Sequence, residues 1–523
     1  MEKITLVYST DLHGYIVSDP WFSGQKSRQG LAHISTRLKA IREEGNEVIF
    51  FDNGDLISGS LLSIRCAEDM RLSNPVISVL NHLDCRFSVL GNHELDFGRK
   101  YFDKIHEQSQ FPWLAANICK KSSDQAFFGD SYYIHETEKG SKVAFVGITT
   151  PETEELANRD EIKGMRFLQP IESLKMILPK VKEQSPDLIV VCYHGGYDSG
   201  LGYWMSDEEV GELESDICGA FPEIDLFVTG HTHGRVANRE INGVHTLQAG
   251  CNGLFLGRVD ISLQSEKDLF NPANDYEISS EVLNVQNEAV DEEILEVAAK
   301  SIKSTQEWLE ELIADSEYSY IPTNSQSLFI QPNRMISLIH DVIRSYAKCD
   351  ITVAHYWDLS GWAKGDVNRL KLLNLFPENY IHILKLTGRD IRLALERTVE
   401  FFSLSEDGRC LLSSKFYDYD LWGGIYYTID IAKPVGERVV RLEFNGEAID
   451  EERRYAVALF HFRSGGALGY DMMCSYRPTW KSKKTIRDYF FDYLKSNETL
   501  EIPIEHNFKI VNADATVNEA FQS

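Results

Sequence analysis

Positive charge is scarce in this chain. Its 53 lysines and arginines stand against 80 aspartates and glutamates, a formal net charge of -27 over 523 residues. A surface that acidic repels a phosphate backbone, so polymeric nucleic acid is excluded as an expected ligand, although a small anion in a locally positive cleft is not. Cysteine pairing is missing too: nine cysteines are scattered, odd in number and without a Cys-x-x-Cys pair. That usage fits a reducing compartment and not a disulfide framework. No apolar run is long enough to span a bilayer, and the opening "MEKITLVYSTDLHG" has neither a basic n-region nor a cleavage site. A cytoplasmic protein with no membrane partner is expected. Internal repeats and low-complexity tracts are absent as well. What remains, 43% hydrophobic and 25% charged residues, is the composition of a globular protein long enough for two or three domains.

The first 260 residues follow one pattern, in which short β-branched runs end in polar clusters. "ITLVYS" ends in Thr10-Asp11-Leu12-His13-Gly14, "VIFF" in Asp52-Asn53-Gly54-Asp55, and "FSVL" in Gly91-Asn92-His93-Glu94. "LIVVCY" ends in His194-Gly195-Gly196, and "DLFVT" in Gly230-His231-Thr232-His233-Gly234. Helical stretches such as "LAHISTRLKAIREEG" and "NPVISVLNHLD" lie between them. The alternation predicts an α/β domain, whose ligand crevice lies at the carboxyl ends of its strands. Residues 288–313, acidic at the start and free of Gly and Pro, predict one helix. It either joins two domains or lies within one. A second, α+β segment begins near residue 318, with "RMISLIHDVIRSYAK" helical and "IYYTIDI" and "RRYAVALF" as strands.

Singly, a histidine at a strand end is more often a hydrogen-bonding residue than a ligand. Here five strand ends carry such groups together. Asp11 and His13 are two residues apart, a spacing that on an extended backbone points both to one side, and His231 and His233 repeat it. Asp55 and Asn92 add oxygen donors and His194 another nitrogen. A mixed Asp/His/Asn set suits borderline or hard divalent metals such as Zn, Mn or Fe, and the lack of cysteine in it argues against a structural zinc.

Asp-x-His, "NGD", "GNHE", a lone His-Gly and "GHTH", in this order, resemble the calcineurin-like metallophosphoesterases. The fuller forms "STDLHG", "DNGDLISGS", "LGNHELDFG" and "GHTHG" resemble the 5'-nucleotidase branch of that superfamily. The resemblance implies a four-layered α/β/β/α catalytic domain over residues 1–285, a linker helix over 286–318, and a smaller α+β substrate-binding domain over 319–523. It implies two divalent ions (Mn, Zn, Fe or Co), one held by Asp11, His13, Asp55 and His233, the other by Asp55, Asn92, His194 and His231. Asp55 would bridge them, and a shared hydroxide would attack phosphorus in line. His93 would serve the phosphoryl oxygen or the leaving group, with Asp96 orienting it.

The C-terminal half names the substrate less directly. "SKFYDYDLWGGIYYTIDIAKP" and "YAVALFHFRSGGALGYD" place aromatics beside glycine-rich turns, as hairpin cores also do. Both resemble the segments with which the family stacks a base, which puts Tyr417 and Phe462 in that role, with Phe416 and Tyr419 as rivals to Tyr417. Several stretches look most like the 2',3'-cyclic-nucleotide 2'-phosphodiesterase/3'-nucleotidase subgroup, which makes a small nucleotide the expected partner. Alternatives within the chemistry are a 5'-nucleotidase, a nucleotide-sugar or dinucleotide pyrophosphatase, an acid phosphomonoesterase and a thiosulfate-ester hydrolase; outside it stands a non-catalytic nucleotide sensor. Three departures imply an altered pocket with intact chemistry. "HYWDLSGWAKGD" lacks the family's Gly-Gly-x-Arg run, Phe460-His461 replaces two asparagines, and Ala467 replaces a frequent aspartate.

Overall fold

The computed structural model of the chain describes residues 2–18, 28–156, 161–196, 212–264, 276–321, 327–357, 359, 361–373, 375, 379–405, 410–413, 418–497 and 502–512. Packing divides it into two units, Met1–Gln306 and Glu307–Ser523.

In the first unit the sequence pattern translates directly into layers. Along the strand Glu2–Ser9, Ile4, Leu6 and Tyr8 point to one face and Val7 to the other, as the two-residue period of a strand requires. The first set meets Ile49, Phe51, Val143, Phe145, Val190, Cys192 and Val228 in a core between two sheets. One sheet has the order Tyr276–Asn284, Phe255–Leu263, Glu2–Ser9, Glu47–Asp52, Ser88–Val89, Trp113–Leu114. The other runs Arg235–Ile241, Val244–Ala249, Leu226–Thr229, Leu188–His194, Lys142–Thr149, Tyr132–Glu136. Both are parallel at their centres and antiparallel towards an edge.

Helices cover each outer face. Leu31, Ile34, Leu38 and Ile41 recur at three- and four-residue spacing along Leu31–Glu43 and pack with Val7 and Phe50. Leu174, Ile177, Leu178 and Val181 do the same on the second sheet, against Val191 and Phe227. The helix Pro75–His82 starts where Asn74 accepts hydrogen bonds from the Val76 and Ile77 amides, with Pro75 in the first turn, where its missing N–H is harmless. The result is the expected α/β/β/α stack.

The helix predicted over 288–313 runs Glu292–Leu309 and includes the boundary between the units. Its predicted tail instead belongs to the strand Leu312–Ser316, which pairs antiparallel with Gly365–Asn368. The second unit is α+β. One sheet has the order Leu421–Gly423, Ile351–Ala354, Arg454–Phe460, Ile381–Thr387, Trp480–Lys481, and a four-stranded sheet contains Tyr426–Asp430. Its helices are well capped: Thr485 and Asp488 form a reciprocal capping box at Ile486–Ser496. Among the described residues no helix is long and apolar enough to cross a membrane.

Candidate metal centre

The polar clusters lie where the strands stop, but strand alternation does not aim them. Asp11 and His13 follow the last residue of their strand, and both have left-handed backbones, φ 51 and 48 degrees. His231 and His233, φ 69 and 60 degrees, likewise lie beyond the strand Leu226–Thr229, and Asp55 has φ 58 degrees. Tight left-handed turns, and not the extended backbone that the paired spacing predicts, bring these side chains together. Such conformations cost about 1–3 kcal/mol each for a residue with a Cβ, and their concentration in one place is characteristic of a functional site.

The side chains converge into two groups whose ligand atoms lie within 4.8 Å of one another: Asp11, His13 and His233 in one, Asp55, His194 and His231 in the other. The groups adjoin, with His194 Nε2 3.1 Å from Asp55 Oδ2 and 4.0 Å from Asp11 Oδ1. Glycine makes the approach possible. A Cβ on Gly91 would fall 2.2 Å from Asp55 Oδ1, and one on Gly230 2.3 Å from Thr10 Oγ1.

Hydrogen bonds set which atoms face the centre. His194 Nδ1 lies 2.6 Å from the Asn53 carbonyl and His13 Nδ1 2.8 Å from the Ser58 carbonyl. A carbonyl only accepts, so both Nδ1 atoms donate, and in the neutral rings both Nε2 atoms present lone pairs. His13 Nε2 is 3.0 Å from His233 Nε2, which is 3.5 Å from Asp11 Oδ1. Asp11 also accepts from the Thr10 hydroxyl and the His231 amide. Asp55 Oδ2 and His194 Nε2, both buried, face each other as an ion pair at 3.1 Å, and Asn92 Oδ1, equally buried, has no hydrogen-bond partner. Buried polar atoms are rarely left so. The two carboxylate–imidazole groups, with the buried Asn92 amide oxygen unsatisfied, fit divalent cations, and nitrogen and oxygen donors without thiolate suit Mn, Zn, Fe or Co.

Without a cation the charges adjust through protons. Burial opposes ionisation of Asp55, yet His194 and His93 beside it hold its carboxyl well below the usual range. Burial likewise disfavours charge on His194, and Asp55 overcomes it, pushing the imidazole up to about 10. His233 is pushed down, chiefly by burial.

His93 belongs to neither group. It begins a short 3-10 turn, His93–Leu95, and its amide donates to Asp55 Oδ1 at 2.9 Å. Its Nδ1 meets Asp96 Oδ2 at 2.7 Å, which leaves Nε2 for a ligand. Its side chain is 40% exposed. Partial burial lowers its basicity, but Asp55 and the bond to Asp96 raise the imidazole to about 10.

Three supports escaped the sequence reading. Glu94, fully buried, accepts from the amides of Asp55, Leu56 and Gly91, and burial beside Asp55 pushes its carboxyl up to about 7. The acid of "GNHE" was a visible signal for it. Glu152 lies 3.2 Å from His231 Nε2, and the Ser58 hydroxyl donates to Asp96 at 2.7 Å. Nothing in their local sequence marks these two.

In the second unit Phe462 is half-buried, stacked at 6.1 Å on Phe460 and edge-on to His355 and Trp357. Tyr419, a rival for the other stacking position, is fully buried among Phe401, Phe402 and Phe329 and is core. Tyr417 and Phe416 lie outside the described residues.

A four-layered α/β/β/α unit with two carboxylate–imidazole groups at its strand ends defines a dinuclear metallohydrolase. Residues 4–235 match the family described as calcineurin-like phosphoesterase, and residues 313–475 the 5'-nucleotidase C-terminal domain. The chain thus carries a calcineurin-like phosphoesterase domain followed by a 5'-nucleotidase C-terminal domain, the domains of phosphoester hydrolases that use a dinuclear divalent metal centre.

It is 23% identical to the trifunctional nucleotide phosphoesterase YfkN of Bacillus subtilis, over 99% of this chain but only 40% of that protein's length. It is also 23% identical to the 2',3'-cyclic-nucleotide 2'-phosphodiesterase/3'-nucleotidase of Salmonella typhimurium, over 88% of this chain and 81% of the relative. A Staphylococcus aureus structure in complex with alpha-ketoglutarate shares the fold at TM-score 0.79 and 24% identity, covering 97% of this chain and all of that one. The 5'-nucleotidase precursor of Thermus thermophilus shares it at 0.60 and 20%, covering 98% of this chain and 99% of its own.

Proposed function

We propose that this nucleotidase-type phosphoesterase hydrolyses 2',3'-cyclic nucleotides and 3'-nucleotides. The observation that carries the hydrolytic assignment is the pair of adjoining groups Asp11, His13, His233 and Asp55, His194, His231, with His93 beside them bonded to Asp96. The substrate choice is supported by the names of relatives that match most of the chain. In this reading Asp11, His13, Asp55 and His233 hold one ion and Asp55, Asn92, His194 and His231 the other. Bound there, Mn, Zn, Fe or Co would supply Lewis acidity. His93 donates from Nε2 to a phosphoryl oxygen or the leaving oxygen while Nδ1 stays bound to Asp96. Phe462 stacks the base, a contact worth about 1–3 kcal/mol that any base can make.

The second reading, a 5'-nucleotidase, is favoured by a Vibrio cholerae relative of that name, 23% identical over 96% of this chain. All nine cysteines are unpaired, which supports a reducing compartment. A phosphate-release panel of 2',3'-cyclic, 3'- and 5'-nucleotides with Mn, Zn and Co decides between the readings. Turnover of 5'-nucleotides alone excludes the first, and no metal-dependent turnover of any phosphoester excludes both.

A further inference from the structure

Ser58 touches the centre at both of its ends. Its carbonyl accepts from His13 Nδ1 at 2.8 Å, which aims the His13 Nε2 lone pair into the first donor group. Its hydroxyl donates to Asp96 Oδ2 at 2.7 Å, the oxygen that also binds His93 Nδ1 at 2.7 Å. The residue is 9% exposed, whereas the side chains it ties together, His93 and Asp96, are 40% and 37% exposed. Its backbone is held closely: a Cβ on the neighbouring Gly59 would fall 2.7 Å from the His13 Cβ.

From this placement we infer that Ser58 is a positioning residue for the hydrolysis, its hydroxyl orienting the His93–Asp96 pair while its carbonyl separately orients His13. The physical need is plain. His93 and Asp96 are only three residues apart on a short turn, and their carboxylate–imidazole bond is open to water. A carboxylate held by one exposed partner rotates freely. A second donor from a buried residue restricts it to one orientation, and the imidazole, bonded to the same oxygen, inherits that restriction. The rings of His13 and His93 lie edge to face at 5.4 Å, so one residue sets the direction of two neighbouring imidazoles.

The inference rests on the role proposed for His93, and the test separates the two. Ser58→Ala removes the hydroxyl and keeps the carbonyl. Metal content by elemental analysis should therefore match the wild type, while kcat on a nucleotide falls about tenfold, the scale of a lost orienting hydrogen bond around a metal site. KM should stay unchanged, and Ser58→Thr, which restores the hydroxyl, should recover most of the rate. In a His93→Asn background, Ser58→Ala should add nothing, because the group it orients is gone. In the metal-free protein, the His93 Nδ1 resonance of 15N-histidine spectra should move in Ser58→Ala and return in Ser58→Thr. A wild-type rate in Ser58→Ala overturns the inference, as does an equal further loss in the His93→Asn background. Loss of metal from Ser58→Ala overturns it too, since the two ends would then not act separately. If His93→Asn itself has full activity, the role given to His93 is what fails.

Discussion

Removing the Glu94 carboxylate tests whether the centre is held by its backbone. Three buried amides depend on that group: Gly91 N and Asp55 N donate to Oε2 at 2.6 and 3.0 Å, and Leu56 N donates to Oε1 at 2.6 Å. Leaving a buried donor unsatisfied costs about 1–3 kcal/mol, so Glu94→Ala should cost about 3–9 kcal/mol, towards the lower figure where water enters the space. Glu94→Gln is milder. Its amide oxygen can replace Oε2 and keep two bonds, while its NH2 meets the Leu56 amide and leaves that one donor unsatisfied, at about 1–3 kcal/mol. Against a total stability of about 5–15 kcal/mol, the alanine variant should be close to unfolding its unit and the glutamine variant should not. The same amides fix the left-handed turn at Asp55, so metal affinity should fall in the same order. Denaturant unfolding in chelator, followed by metal titration, measures both. The reasoning is refuted if Glu94→Ala unfolds within about 0.5 kcal/mol of wild type, the range of an ordinary surface substitution.

Asp55→Ala should lose both ions, because the proposed bridge is removed; metal content equal to wild type by elemental analysis sinks the bridging role. Phe462→Ala should raise KM for nucleotides with little change in kcat, the sign of lost uniform binding, and leave p-nitrophenyl ester turnover unaltered. If the ratio of the two activities keeps its wild-type value, the ring is merely core. His340 provides a pH test of the second unit. Burial pushes its imidazole from 6.5 down to about 3, with Arg344 adding to the effect, and Thr352 hydrogen-bonds Nδ1 at 2.8 Å. Between those pH values the unfolded chain takes up a proton that the native state refuses, so stability from this residue falls with falling pH by about 1.4 kcal/mol per unit. The denaturation midpoints of His340→Asn should show a flatter pH profile over that window, and parallel profiles would count against the assignment.

The chemistry of the centre was legible in the chain because donor type is a property of the residue. Asp11, His13, Asp55, Asn92, His194, His231 and His233 were readable as candidates from strand-end position and order alone. The two-residue and 3.6-residue periods likewise gave away the layers, since a strand or helix must bury one face whatever its partner. Three things waited for the tertiary structure. His13 and His233 meet across 220 residues, a contact that sheet order makes and no local pattern encodes, although the resemblance had implied the division into two groups. The pairs at 11/13 and 231/233 converge through left-handed turns, a geometry disfavoured locally and maintained only by surrounding contacts, such as the bonds that the His13 amide donates to the Asp55 carbonyl and the Asp11 amide to the Gly54 carbonyl. The supports Ser58, Glu94 and Glu152 act through hydrogen bonds to residues 38, 39 and 79 positions away in the chain. Tyr419 makes the same point from the other side. Beside glycine-rich turns the residues alone favoured a core ring and the resemblance a ligand contact, and the rings packed around it decided for the core.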